Sequence, residues 1–153
     1  MSNFLNDALA EGSIALRQSV TSWQESFEIA GELLVQSNRA KSSYTTAMIE
    51  VFHELGPYMV IAPGVALAHA KPANHVISPG LSLLTLSEGV TFGVERFDPV
   101  RIVFGMTAIE HDDHINLLAA LGEFLMDEAK VNTLLELTDV SAVRALFLSL
   151  IHI

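Results

Sequence analysis

The sequence predicts an α/β fold: a single-domain mixed β-sheet flanked by helices on both faces. Short apolar runs bounded by Gly or Pro alternate with longer stretches whose apolar residues recur every three or four positions, the signatures of strands and amphipathic helices. Half of the residues are hydrophobic and only 17% are charged, a balance that calls for several elements covered on both sides. The chain of 153 residues contains no linker, repeat or low-complexity segment, so residues 1–153 are read as one domain with a substantial core.

Each element has a local reason. Ser22-Trp23-Gln24-Glu25 has capping-box spacing, and Trp23, Phe27, Ala30 and Leu34 follow at helical intervals, predicting a helix from about Trp23 to Gln36 that Asn38 ends. Ser42 or Ser43 suits the cap of a second helix, whose stripe Tyr44, Met48, Val51 and Leu55 runs until Gly56-Pro57 stops it. Tyr58 to Ile61, Val65 to Leu67, Leu81 to Leu86 and Arg101 to Thr107 are too short for free helices and read as strands. Further helices are expected at about His114 to Met126 and Ser141 to Leu150, with a shorter helical piece between them. The apolar first segment, Phe4, Leu5, Ala8 and Leu9, is suited to packing on its own domain or on a second subunit, as in a homodimer.

Composition narrows the function. A formal charge of -10 disfavours nucleic acid and anionic membrane surfaces. No run approaches the roughly 20 consecutive apolar residues of a bilayer span. Met1 to Asp7 lacks the basic segment and apolar core of a signal peptide, so a cytoplasmic location is expected. The absence of cysteine removes thiol nucleophiles and zinc-thiolate sites.

Chemistry concentrates at two places. Pro63-Gly64 turns the chain, Val65 to Leu67 forms a strand, and His69 is delivered to a loop that Pro72 closes, which makes a neutral imidazole available as a nucleophile near pH 7. In Glu110-His111-Asp112-Asp113-His114 a strand hands over to a helix, with Asp112 or Asp113 suited to the N-cap. His114 leads the series Leu118, Leu121 and Leu125, so it is expected on the buried stripe, beside helix N–H groups able to hold a phosphate. The two histidines are therefore candidates to converge across a strand edge.

Trp23 through Leu34, Tyr44 to Met48, Gly56-Pro57-Tyr58, Ala62-Pro63-Gly64-Val65-Ala66, His69-Ala70-Lys71-Pro72, Gly80-Leu81-Ser82 and His114-Ile115-Asn116-Leu117-Leu118 form an ordered set. Through that set, across most of its length, the chain resembles the EIIA components of the bacterial phosphotransferase system, in the mannitol-fructose superfamily and especially its ascorbate-type branch. It implies one EIIA type-2 domain whose His69 accepts a phosphoryl group from phospho-HPr, on its tele nitrogen, and passes it to a cysteine of a cognate EIIB. Sugar uptake through the membrane EIIC follows, with ascorbate the sugar the branch suggests. His114 then donates a hydrogen bond to a phosphoryl oxygen. No metal, nucleotide or other cofactor is implied, because the incoming phosphohistidine is already activated. Transfer between proteins also requires a shallow, partly apolar docking face, expected around Val65, Leu67 and Met106. The family usually has Pro before the histidine, where this chain has Ala68. Mannitol-type members carry an Arg near the end of the second helix, where this chain has His53, so no arginine phosphate ligand carries over.

The remaining candidates read differently. His53 lies opposite the Tyr44 stripe and is expected in solvent, as are His75 in a polar loop and His152 at the chain end. Lys71 is placed to steer phosphate or simply to be solvated, and His111 to assist the site or face water. A metal-dependent phosphohydrolase is suggested by His111-Asp112 alone, but that chemistry needs ligands spread over an all-helical domain, which the apolar strands oppose. A regulatory EIIA-like protein, controlling a partner by its phosphorylation state, keeps the same fold.

Overall fold

The computed structural model describes residues 4–148. The last two residues of the expected C-terminal helix and His152 lie outside them. The elements follow as α1 (Phe4–Ala8), β1 (Leu9–Gln18), α2 (Trp23–Gln36), α3 (Ser42–Leu55), a 3-10 turn (Pro57–Met59), β2 (Val60–Ala62), β3 (Val65–Ala68), β4 (Gly80–Val90), β5 (Val100–Thr107), α4 (His111–Leu125), α5 (Glu128–Glu136) and α6 (Val140–Leu148).

The strands form one five-stranded sheet in the order β1-β4-β5-β3-β2. β1 runs parallel to β4 and β3 parallel to β5, whereas the β4–β5 and β2–β3 pairs are antiparallel. The mixed sheet is therefore as expected, and so are the helices on both faces. Side-chain alternation along each strand divides the core in two. Ala66, Ala68, Leu84 and Val103 face α2 and α3, where Phe27, Leu34, Tyr44, Met48 and Phe52 cover them. Val65, Leu67, Leu83, Ile102, Phe104 and Met106 face the other way, under α1, α4, α5 and α6.

Small residues let α2 and α3 approach closely. A Cβ at Gly105 of β5 would meet Ser82 Oγ at 2.5 Å, Leu34 Cδ1 at 3.1 Å and the Ala30 carbonyl oxygen at 3.3 Å, so only glycine fits against α2 there. Helix termini follow their local chemistry. Ser22 Oγ accepts from Glu25 N at 3.1 Å, and Asn38 leaves α2 in the left-handed conformation, φ 64°.

Several boundaries differ from the sequence reading. β1 was not expected: Gly12 at φ 83° and Arg17 at φ 51° break its period-2 pattern, and its register with β4 shifts twice. Part of the Tyr58 to Ile61 run is the 3-10 turn, since Pro57 favours a tight helical start, and the strand itself begins at Val60. The N-cap of α3 is Lys41, with Ser42 and Ser43 inside the first turn. Its buried stripe ends on Phe52, leaving Val51 half-buried and Leu55 62% exposed. Leu5, Ala8 and Leu9 are buried in the chain's own core, so the first segment needs no second subunit to cover it.

Candidate functional site

The parallel pairing of β3 and β5 creates the site. Val65 to Ala68 match Ile102 to Gly105 rung for rung, so both strands end at the same sheet edge. Beyond that edge the strands diverge, β3 into the His69 loop and β5 through Ala108 and Ile109 into α4. Two segments 45 residues apart are thereby brought together at the carboxyl ends of parallel strands, where α/β sheets open crevices. The rings of His69 and His114 lie 6.0 Å apart between centroids and meet at 67°. The expected convergence is present in the structure.

His69 is half-buried, and its Nδ1 lies 3.0 Å from the carbonyl oxygen of Leu67. A carbonyl only accepts, so Nδ1 carries the proton and Nε2 keeps its lone pair. Burial holds the imidazole below the ordinary value of 6.5, the Leu67 carbonyl pulls it back up, and His114 adds a smaller push down. The ring meets Tyr58 edge-on at 5.8 Å, so Tyr58 and His114 both flank it. Ala68, where the family has proline, is fully buried and paired with Gly105, so the strand ladder holds the residue before His69.

α4 starts earlier than expected, at His111, and its N-cap is Glu110 rather than Asp112 or Asp113. Asp113, three residues into the helix, accepts from Glu110 N at 3.0 Å and Ile109 N at 3.3 Å, closing a capping box that fixes the turn before His114. The core stripe of α4 is Leu117, Leu121 and Phe124, which shares Leu121 with the expected series and leaves Leu118 and Leu125 half-buried beside it. His114 is consequently half-buried at the stripe's edge, lining the cleft, not the core.

The cleft has a volume of about 860 Å³ and is walled by α3, the His69 loop and the start of α4. Leu55, Tyr58 and Ile109 supply exposed apolar surface, and Glu50, Glu54 and Glu110 line it with carboxylates. Of the docking face expected around Val65, Leu67 and Met106, only Met106 lines the cleft, and all three are no more than 2% exposed, with their side chains in the core under α4. Lys71 and His111 are exposed and line the cleft. His75 also lines it, half-buried and not solvated as expected, with Nδ1 2.7 Å from Ser43 Oγ. His53 is exposed as expected, stands edge-on to Trp23 at 5.2 Å and does not line the cleft. Among the described residues no arginine lines the cleft, and no group of three or more His, Cys, Asp or Glu could hold a metal ion. No helix among them is long and apolar enough to cross a membrane.

Two imidazoles meet at a sheet edge, and the one whose proton is held on Nδ1 can offer its other ring nitrogen as a nucleophile. Residues 7–149 match the family model of the phosphoenolpyruvate-dependent sugar phosphotransferase system, EIIA 2, and the chain belongs to this family. It is 34% identical over 131 residues to the mannitol-specific cryptic phosphotransferase enzyme IIA component of Escherichia coli (strain K12), covering 86% of this chain and 88% of that one. It is 39% identical over 111 residues to the ascorbate-specific EIIA component of Salmonella choleraesuis (strain SC-B67), covering 72% of each. The solved complex of mannitol enzyme IIA with phosphorylated enzyme IIB from Escherichia coli superposes with a TM-score of 0.80 at 27% identity, over 92% of this chain and 99% of that one.

Proposed function

We propose that this protein is a phosphoryl carrier in which His69 takes a phosphoryl group from phospho-HPr and delivers it to a cognate EIIB. The observation that carries this reading is the Nδ1 contact with Leu67 O, which leaves Nε2 as the nucleophilic atom. In the first step Nε2 of His69 attacks phosphorus, forming the new N–P bond as the donor's N–P bond breaks. The donor imidazole leaves as the neutral ring. In the second step the thiolate of an EIIB cysteine attacks phosphorus in line, the Nε2–P bond breaks, and His69 returns to its neutral form. His114 stabilises charge on the phosphoryl oxygens by donating a ring N–H, and the protein otherwise positions groups.

The apolar surface of Leu55, Tyr58 and Ile109 suits partner docking, and the neighbouring EIIA–EIIB complex supports an EIIB as acceptor. Transport of a sugar through EIIC, with ascorbate as the candidate, is supported by the ascorbate-specific relatives.

The test is to incubate the protein with phosphoenolpyruvate, Enzyme I and HPr and to measure acid-labile phosphate by intact mass. Wild type gains one phosphoryl group and His69→Ala gains none. Absence of phosphate on wild type, or an equal gain on His69→Ala, overturns the reading.

A further inference from the structure

We propose that Tyr44 is a positioning residue for phosphoryl transfer, its hydroxyl acting as an added rung between the His69 loop and the strand that leads to His114. This rests on the reading of His69 as the phosphoryl acceptor.

The β3–β5 ladder ends at the pair Ala68 and Gly105. Two residues past Ala68, the Tyr44 hydroxyl accepts a hydrogen bond from Ala70 N at 3.0 Å. It lies 2.7 Å from Met106 O and 3.2 Å from Ala70 O, and its one proton goes to the nearer carbonyl. One oxygen thus joins the residue after His69 to the residue after Gly105, where the strands separate. The separation of the strands is what opens the cleft, and it fixes how far His69 stands from the chain that continues into α4.

The tie is anchored on its buried side, while Ala70 is half-buried at the cleft wall. Tyr44 is 1% exposed, and burial pushes its hydroxyl up to about 12, so it remains a donor throughout the working range. Its ring is held by the α3 core with Met48 and Phe52, which makes the hydroxyl a fixed reference point. The Ala70 amide is consumed by this contact, so it is not a donor to the phosphoryl group. Phosphoryl stabilisation then depends on His114 and the start of α4, whose distance from His69 the tie controls. Small displacements of reacting groups cost large factors in rate.

Tyr44→Phe keeps the ring and removes the rung. The expected result is transfer to EIIB with kcat lowered about tenfold and KM unchanged. The His69 imidazole, read by NMR titration, moves up toward 6.5 as water reaches the loosened loop. Val143→Ala, a cavity in α6 in the core on the other face of the sheet, lowers thermal stability and leaves kcat and the His69 titration as in wild type. Wild-type kcat in Tyr44→Phe overturns the proposal, as does an equal kcat loss in Val143→Ala. Hydrogen exchange of the Ala70 amide in the wild-type protein adds a reading independent of any variant's folding. Protection like that of the β5 amides supports the rung, and exchange at the rate of a free loop overturns it. Wild type that takes up no phosphate refutes the phosphocarrier reading itself, while the exchange and titration results still decide whether Tyr44 ties the two segments.

Discussion

His69 and His114 face each other with ring centroids 6.0 Å apart because β3 and β5 are parallel neighbours that end on the same side of the sheet. Neither histidine is placed by its own sequence neighbours alone. The Leu67 carbonyl fixes the proton of His69 on Nδ1, and the Asp113 capping box fixes the turn that presents His114.

The burial of His69 makes its function and stability depend on pH in one direction. Burial, together with the nearby His114, places the folded imidazole below its unfolded value of 6.5, so the unfolded chain binds the proton more readily. The associated stability is fully present above pH 6.5 and is lost as pH falls from there through the folded value. Denaturant unfolding of wild type and His69→Gln at pH 7.5 and pH 5.5 checks this: wild type is expected to lose more stability than the variant on acidification. Equal losses remove the linkage. Phosphoryl acceptance should follow the same titration, with an apparent pKa below the ordinary imidazole value.

Substitution of His114 separates acceptance from delivery. His114→Ala retains Nε2 of His69 as the nucleophile and so still takes up phosphate, but it loses a donor to the charge that develops on the phosphoryl oxygens. Single donors of that kind are worth about 10²-fold in rate, so transfer to EIIB should slow by that order. His114→Gln, which keeps an N–H at a similar reach, recovers part of the loss. Stopped-flow transfer from the phosphorylated protein measures both, and an Ala variant as fast as wild type removes the role assigned to His114.

Much of this arrangement is legible in the residues, and the failures have physical causes. Val65 to Leu67 and Arg101 to Thr107 read as strands because each is a short apolar run buried on both faces, and their alternation decides which core each side chain joins. The same double burial hides which side is which, so the docking face expected around Val65, Leu67 and Met106 falls on side chains of the core, with only Met106 reaching the cleft wall. β1 is illegible because Gly12 and the left-handed Arg17 interrupt its period. The observed stripe of α4 shares Leu121 with the expected one but takes Leu117 and Phe124 in place of their neighbours Leu118 and Leu125, because a helix this rich in apolar residues offers two overlapping rows, and the Asp-Asp pair obscures the Glu110 cap. Tyr44 was visible only as a core residue, since a helical stripe records that a ring is buried and not where its hydroxyl reaches.

The close approach of α2 to the sheet predicts an intolerance at Gly105. A methyl group there would sit 2.5 Å from Ser82 Oγ, whose hydroxyl donates to Ala30 O at 2.8 Å, and 3.3 Å from that same carbonyl oxygen. Backbone on one side and a committed hydroxyl on the other leave little room to yield. Gly105→Ala should therefore cost about 1–3 kcal/mol, measured by urea unfolding. Because Gly105 pairs with Ala68, the variant should also disturb the His69 resonances. Unchanged stability shows that α2 can move away from the sheet.

Leu55 offers a test of the docking surface that does not threaten the fold. It is 62% exposed at the end of α3, lines the cleft beside Tyr58 and contributes nothing to the buried stripe that ends on Phe52. Such an exposed residue should tolerate Leu55→Ala with a stability change within about 0.5 kcal/mol. An apolar side chain of this size, desolvated on docking, is the kind that anchors a protein interface, and its loss should raise KM for EIIB about tenfold, or about 1.4 kcal/mol, with kcat retained. Titration calorimetry with unphosphorylated EIIB reads the affinity directly. An unchanged dissociation constant places the acceptor's contact elsewhere on the cleft rim and leaves the Leu55 side chain outside it.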